Sequence, residues 1–162
     1  MRVLSIDPGF ERVGISVIEK IRGERERLVY SSCFKTKPGI LFSKRLLQIG
    51  DELEKIIKKH KPNDLAIETL FFNTNQKTAI RVGEACGVVL FVSKKMGLKV
   101  YEYAPLQVKI ATTGYGKASK SQVAAMIPRL ISLENKAKKI DDEIDAIAIG
   151  LTHCSHSTPV EK

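Results

Sequence analysis

The chain has 162 residues, 43% hydrophobic and 28% charged, ordinary globular usage that excludes disordered and fibrous architectures. One domain spanning 1–162 is expected, large enough to bury about 70% of its unfolded surface without disulfides. Lys and Arg (27) exceed Asp and Glu (18) by 9, and residues 94 to 139 hold ten Lys/Arg against only Glu102 and Glu134, an asymmetry that suggests a polyanionic partner, although a Lys-rich solvated surface gives the same charge.

Residues 3–7 (VLSID), 12–19 (RVGISVIE) and about 27–34 (RLVYSSCF) are short β-branched apolar runs joined by turn signals, which predicts an antiparallel meander. From Ile40 to Lys61, Leu46, Ile49, Leu53, Ile56 and Ile57 recur at helical spacing, so an amphipathic helix stopped by Pro62 is expected. Residues 64–68 (DLAIE) form a buried strand. Residues 75–95 make a long helix whose Ile80, Gly83, Gly87 and Leu90 mark a close-packing stripe. Residues 99–103 (KVYEY) are the fifth strand. A helix starts near Pro105–Ala111, Thr112 to Lys117 reads as a Gly-punctuated loop, and Ser119-Lys120-Ser121-Gln122 fits a capping box opening a helix to about Ile131. The last helix spans about Asp142 to His153. The order β-β-β-α-β-α-β-α-α-α implies an α/β fold, a mixed sheet covered by helices.

Asp7 ends the first strand just before Pro8-Gly9, where α/β sheets place their sites, and Glu68 likewise ends the fourth. The two converge if those strands are neighbours. Asp142 and Asp145, three apart, share one face of the last helix. Helix-dipole compensation accounts for acids at Asp141 or Glu143 but poorly for Asp145, which adjoins the buried run Ala146-Ile147-Ala148-Ile149. Carboxylates gathered in a basic protein repel one another, and an oxygen-preferring divalent cation, Mg²⁺ or Mn²⁺, resolves the conflict.

Zinc geometry is lacking, since His153, Cys154 and His156 are too tightly spaced and read as an ordinary helix end. Cys33, Cys86 and Cys154 are odd in number and widely spaced, hence read as free buried thiols of a reducing compartment. No window approaches the roughly 18 uncharged apolar residues of a membrane span. A soluble, unexported, cytoplasmic protein with no membrane contact is expected.

Taken together, IDPG at 6–9 with Gly14, AIE at 66–68 followed by Phe71, QVK at 107–109, KSQV at 120–123 and DAIAIGLTHC at 145–154 resemble the RuvC family of Holliday-junction resolvases, in order and across nearly the whole chain. The resemblance implies a ribonuclease H-like fold, with a mixed five-stranded sheet of three antiparallel and then two parallel strands, and a homodimer. It implies two Mg²⁺ ions per subunit, replaceable by Mn²⁺, held by four acids that fall on Asp7, Glu68, Asp142 and Asp145. These are thereby both catalytic residues and metal ligands, and Asp141 is left as a helix cap. The implied activity is metal-dependent phosphodiester hydrolysis at four-way DNA junctions in recombination and repair. Phe71 would stack on an unpaired junction base, Lys109 and Lys120 would bind DNA phosphate near the cut, and the branch-migration proteins RuvA and RuvB would be partners.

The alternative is a related ribonuclease H-like nuclease acting on RNA, of the YqgF type, which would share the early and late Asp but not the Phe71 loop or KSQV. A sugar-kinase or actin-like nucleotide-binding domain also begins with a strand bearing Asp and Gly, but generally needs two such domains around a cleft.

Overall fold

A computed structural model describes residues 1–70, 76–132 and 140–156, and the side chains of all of these except residues 76 and 77. Phe71 lies outside the described residues. The strands are β1 (Arg2–Asp7), β2 (Arg12–Glu19), β3 (Arg27–Lys35), β4 (Asp64–Glu68) and β5 (Lys99–Tyr103). The helices are α1 (Phe42–His60), α2 (Gln76–Lys95), α3 (Pro105–Thr113), α4 (Lys120–Leu130) and α5 (Asp141–His156). The sheet order is β3-β2-β1-β4-β5, with β1–β2 and β2–β3 antiparallel and β1–β4 and β4–β5 parallel. The expected meander and the two helical crossovers are both present.

Alternation along each strand divides the core into two layers. Leu4, Ile6, Ile15, Leu65 and Ile67 pack with Ile49 and Leu53 of α1 and Ala85, Val89 and Val92 of α2. On the opposite face Val3, Ile18 and Ala66 pack with Val108 of α3, Val123 and Ile127 of α4 and Ile147, Ala148 and Ile149 of α5. Because Leu4 and Ile6 point to the first layer, Asp7 belongs to the face covered by α5. Ser5, on that same face, forms a buried hydroxyl pair with Ser16 at 2.5 Å.

Two glycines let α5 lie close on this face. A Cβ at Gly150 would meet Ser5 Oγ at 2.5 Å and Ile18 Cδ1 at 2.7 Å, and one at Gly14 would lie 2.0 Å from the Asp142 carbonyl oxygen. The far end of α5 is fixed by His153, fully buried, whose Nδ1 pairs with the Tyr103 hydroxyl at 2.8 Å and whose Nε2 pairs with Asp64 at 3.2 Å. Burial holds the His153 pKa below its ordinary value, against the opposing pull of Asp64. The His153, Cys154 and His156 segment is thus a helix end, as its spacing suggested.

The capping box at Ser119 forms as expected, with Gln122 N–H donating to Ser119 Oγ at 3.2 Å and Ser119 N–H donating to Gln122 Oε1 at 2.8 Å. Two boundaries differ from expectation. Thr112 and Thr113 are helical, not loop: α3 runs on to Gly114, which leaves it in the left-handed region with its N–H donating to the Ile110 carbonyl, and the two threonine hydroxyls donate back to the carbonyls of Val108 and Lys109. Asp141 is a first-turn residue and not the cap: the carbonyl of Ile140 accepts from Glu143 and Ile144. Along α2, Ala85, Val89 and Val92 face the core while Ile80, 64% exposed, and Phe91, 69% exposed, face away. A Cβ added at Gly83 or Gly87 would meet nothing within 4 Å. All three cysteines are free, but only Cys154 is fully buried, with Cys33 and Cys86 half-buried. No described helix is long and apolar enough to cross a membrane.

Candidate active site

The register of the central strands decides how the acids meet. Ile6 of β1 is paired with Ile67 of β4, so the next residues, Asp7 and Glu68, sit side by side at adjacent strand ends on the face below α5. Across the other edge of β1, Asp7 pairs with Gly14 of β2, over which the first turn of α5 passes. A cavity of about 310 Å³ opens here, lined by Asp7, Glu68, Asp145, Lys109, Lys120 and, on its apolar wall, Val108, Val123 and Ile149. Five elements, β1, β4, α3, α4 and α5, thus converge, α3 contributing Lys109 and α4 contributing Lys120 as its first residue.

The electrostatics follow from this crowding. Burial, and then the charges of Asp145 and Glu68, push the Asp7 pKa up to about 7, with Lys120 pulling against them and Asp142 adding the weakest push. Glu68 is raised as well, by burial and by Asp145, with Lys120 and Lys109 opposing. Lys120 donates to Asp145 at 2.8 Å, and that hydrogen bond raises its own pKa. The site therefore holds more negative charge than its own lysines neutralise. With its pKa pushed up to about 7, Asp7 still carries its proton in part at neutral pH, and positive charge arriving in the cavity would favour its ionisation.

Five of the seven residues singled out from the sequence meet in this one cavity. Asp142 is the exception among the four acids: its carboxylate is bonded to Arg12, at the start of β2, and accepts from the Cys33 thiol at 3.5 Å. The two acids share a helical face as expected, but Asp145 turns to Lys120 and Asp142 to Arg12. Arg12 was not singled out from the sequence, where it is one of 27 basic residues and its contact lies 130 positions away.

No three His, Cys, Asp or Glu side chains among the described residues are placed to hold a metal ion together, and Asp142 and Asp145 are engaged by Arg12 and Lys120. The donor set nevertheless fits a hard divalent cation: Asp7, Glu68 and Asp145 present only carboxylate oxygens to the cavity, and their mutual repulsion is what such an ion relieves.

The family profile described as "Crossover junction endodeoxyribonuclease RuvC" matches residues 3–153. Crossover junction endodeoxyribonuclease RuvC of Desulfitobacterium hafniense is 45% identical over 157 residues, covering 97% of this chain and 93% of the relative. The enzyme so named from Pelotomaculum thermopropionicum is 40% identical over 158 residues, 98% of this chain and 95% of the relative. The structure of T. thermophilus RuvC in complex with Holliday junction substrate superimposes with a TM-score of 0.89 at 33% identity, covering 96% of this chain and 94% of that one. The fold is accordingly the ribonuclease H-like one that the sequence motifs implied. With full-length matches of this kind, and with the carboxylate cavity at the strand ends, this chain belongs to the RuvC family of crossover junction endodeoxyribonucleases.

Proposed function

We propose that the protein is a structure-selective DNA endonuclease that resolves four-way junctions by metal-dependent phosphodiester hydrolysis, with Asp7, Glu68, Asp142 and Asp145 as its catalytic and cation-binding acids. The observation that carries this reading is the meeting of Asp7, Glu68 and Asp145 with Lys109 and Lys120 in one cavity. An excess of buried negative charge there calls for cations, and the two lysines suit a phosphate brought alongside. The match to crossover junction endodeoxyribonucleases gives the RNA-acting alternative no support.

Asp7, Glu68 and Asp145, with Asp142 once it leaves Arg12, would hold two Mg²⁺ ions, or Mn²⁺ in their place. A bound pair of this kind supplies an activated water and stabilises the leaving 3′ oxygen. The chain's own groups do the rest. Asp7, at the end of β1, would ionise as positive charge accumulates, releasing its proton to solvent. Lys109 and Lys120 orient the scissile phosphate and offset its charge, and the apolar wall of Val108, Val123 and Ile149 keeps bulk water from one side. Phe71, three residues beyond Glu68 in sequence, is assigned to the crossover, where an opened base offers a vacant stacking face.

Paired nicks in opposed strands require two such sites related by a two-fold axis, hence a homodimer. The outward face of α2, with Ile80 and Phe91 exposed beside Gly83 and Gly87, is the surface proposed for that contact. RuvA and RuvB are the proposed partner proteins and the cytoplasm the proposed compartment. The test separates binding from cutting. Asp7→Asn and Asp145→Asn should bind a synthetic four-way junction as tightly as the parent yet leave it uncut in Mg²⁺, and full cleavage by either variant would remove that acid from the set.

A further inference from the structure

Asp142 has a fixed backbone and a side chain with two possible destinations. Its carbonyl carbon and oxygen lie 2.7 Å and 2.0 Å from where a Cβ on Gly14 would stand, so the helix start is seated directly on β2. Its carboxylate, by contrast, reaches sideways to the Arg12 guanidinium and the Cys33 thiol, and it does not line the cavity. Asp145, one helical turn on, does line it. Redirecting the carboxylate from the strand edge toward Asp7 requires the Asp142 side chain to turn, with the start of α5 keeping its seat on Gly14. Arg12 is itself about half exposed, at 48%, so release leaves its guanidinium free in solvent and not stranded in the core.

We infer that Arg12 is a latch on the cation site, holding the Asp142 carboxylate out of the cavity and giving it up when divalent cations enter. The inference rests on the cation-binding reading of the four acids. It makes Arg12 a positioning residue, acting through Asp142. Arg suits this role better than Lys, because its planar fork engages a carboxylate directionally while remaining charged at every physiological pH. A charge that competes for one ligand lowers cation affinity without touching the other three acids. The freed guanidinium is then available to a DNA phosphate, which couples release of the latch to arrival of the substrate.

The experiment is a Mn²⁺ titration of the full chain without DNA, with free Mn²⁺ read by electron paramagnetic resonance. The parent, Arg12→Gln, Asp142→Asn and the double variant are compared, and thermal melting is used to check that each is folded. Arg12→Gln is expected to bind Mn²⁺ about two- to fivefold more tightly than the parent, the range of an exposed ion pair released from competition. In the Asp142→Asn background, where one ligand is already lost, adding Arg12→Gln is expected to give no gain. If the parent binds Mn²⁺ and Arg12→Gln binds equally or more weakly, the latch is overturned while the cation site stands. A gain that survives Asp142→Asn also overturns it, since the effect would then be general charge and not the Asp142 contact. If neither the parent nor Arg12→Gln binds Mn²⁺, the cation-site reading fails and the latch with it.

Discussion

A carboxyl pushed up to about 7 by burial and by two neighbouring acids binds its proton more tightly in the folded chain than in the unfolded one. Between an unfolded value near 3.8 and the folded value near 7, the native state therefore holds the extra proton, and raising the pH through that window destabilises it. The full effect is roughly 2 to 4 kcal/mol once the pH lies above both values. His60 and His153, whose pKa values are lowered chiefly by burial, work in the opposite sense, since their contribution is lost as pH falls. They cancel when two variants are compared. With chelator present, Asp7→Asn should therefore gain melting temperature relative to the parent as pH rises from about 4 to 8. A difference that stays constant over that range would show that Asp7 is not crowded. Lys109→Ala and Lys120→Ala should each slow cleavage by about 10²-fold, with much smaller loss of junction affinity, if they serve the scissile phosphate. Equal losses in rate and binding would make them general backbone contacts.

Among the elements, α5 is the one on which the site depends, and its seat on the sheet is set by what is missing at Gly14 and Gly150. Gly14→Ala forces a methyl into the Asp142 backbone, so the start of α5 has to lift from β2. The expected cost is about 1 to 3 kcal/mol of stability, with cleavage falling much further than junction binding, measured by melting and by a paired gel-shift and cleavage assay. This seat explains what was legible in the sequence and what was not. The DLAIE and RVGISVIE strands and the α1 stripe follow from local alternation and spacing, and Asp7 and Glu68 followed from their strand ends. Local patterning could not give the direction of the Asp142 side chain, because its partner Arg12 arrives from the other end of the chain. The helical Thr112 was missed for a different, local reason: Thr-Thr-Gly reads as loop, but α3 continues through Thr113 and ends at the left-handed Gly114.

For the whole molecule, the net charge of +9 and the proposed two-fold pairing make separate demands. Junction affinity carried by phosphate contacts should fall linearly with salt on logarithmic axes, with a slope near −0.9 per phosphate neutralised. Phe91→Glu on the outward face of α2 should give a monomer by sedimentation and uncouple the two nicks, leaving junctions cut on one strand, whereas an unchanged dimer would place the interface elsewhere. The most direct measurement is cleavage of a synthetic four-way junction beside a linear duplex and an RNA duplex of the same sequence, with Mg²⁺ and with excess chelator. Paired, opposed nicks in the junction alone, dependent on Mg²⁺ and absent in Asp7→Asn, are the predicted result. Undiminished cutting in chelator, or equal cutting of the linear or RNA duplex, would contradict the account.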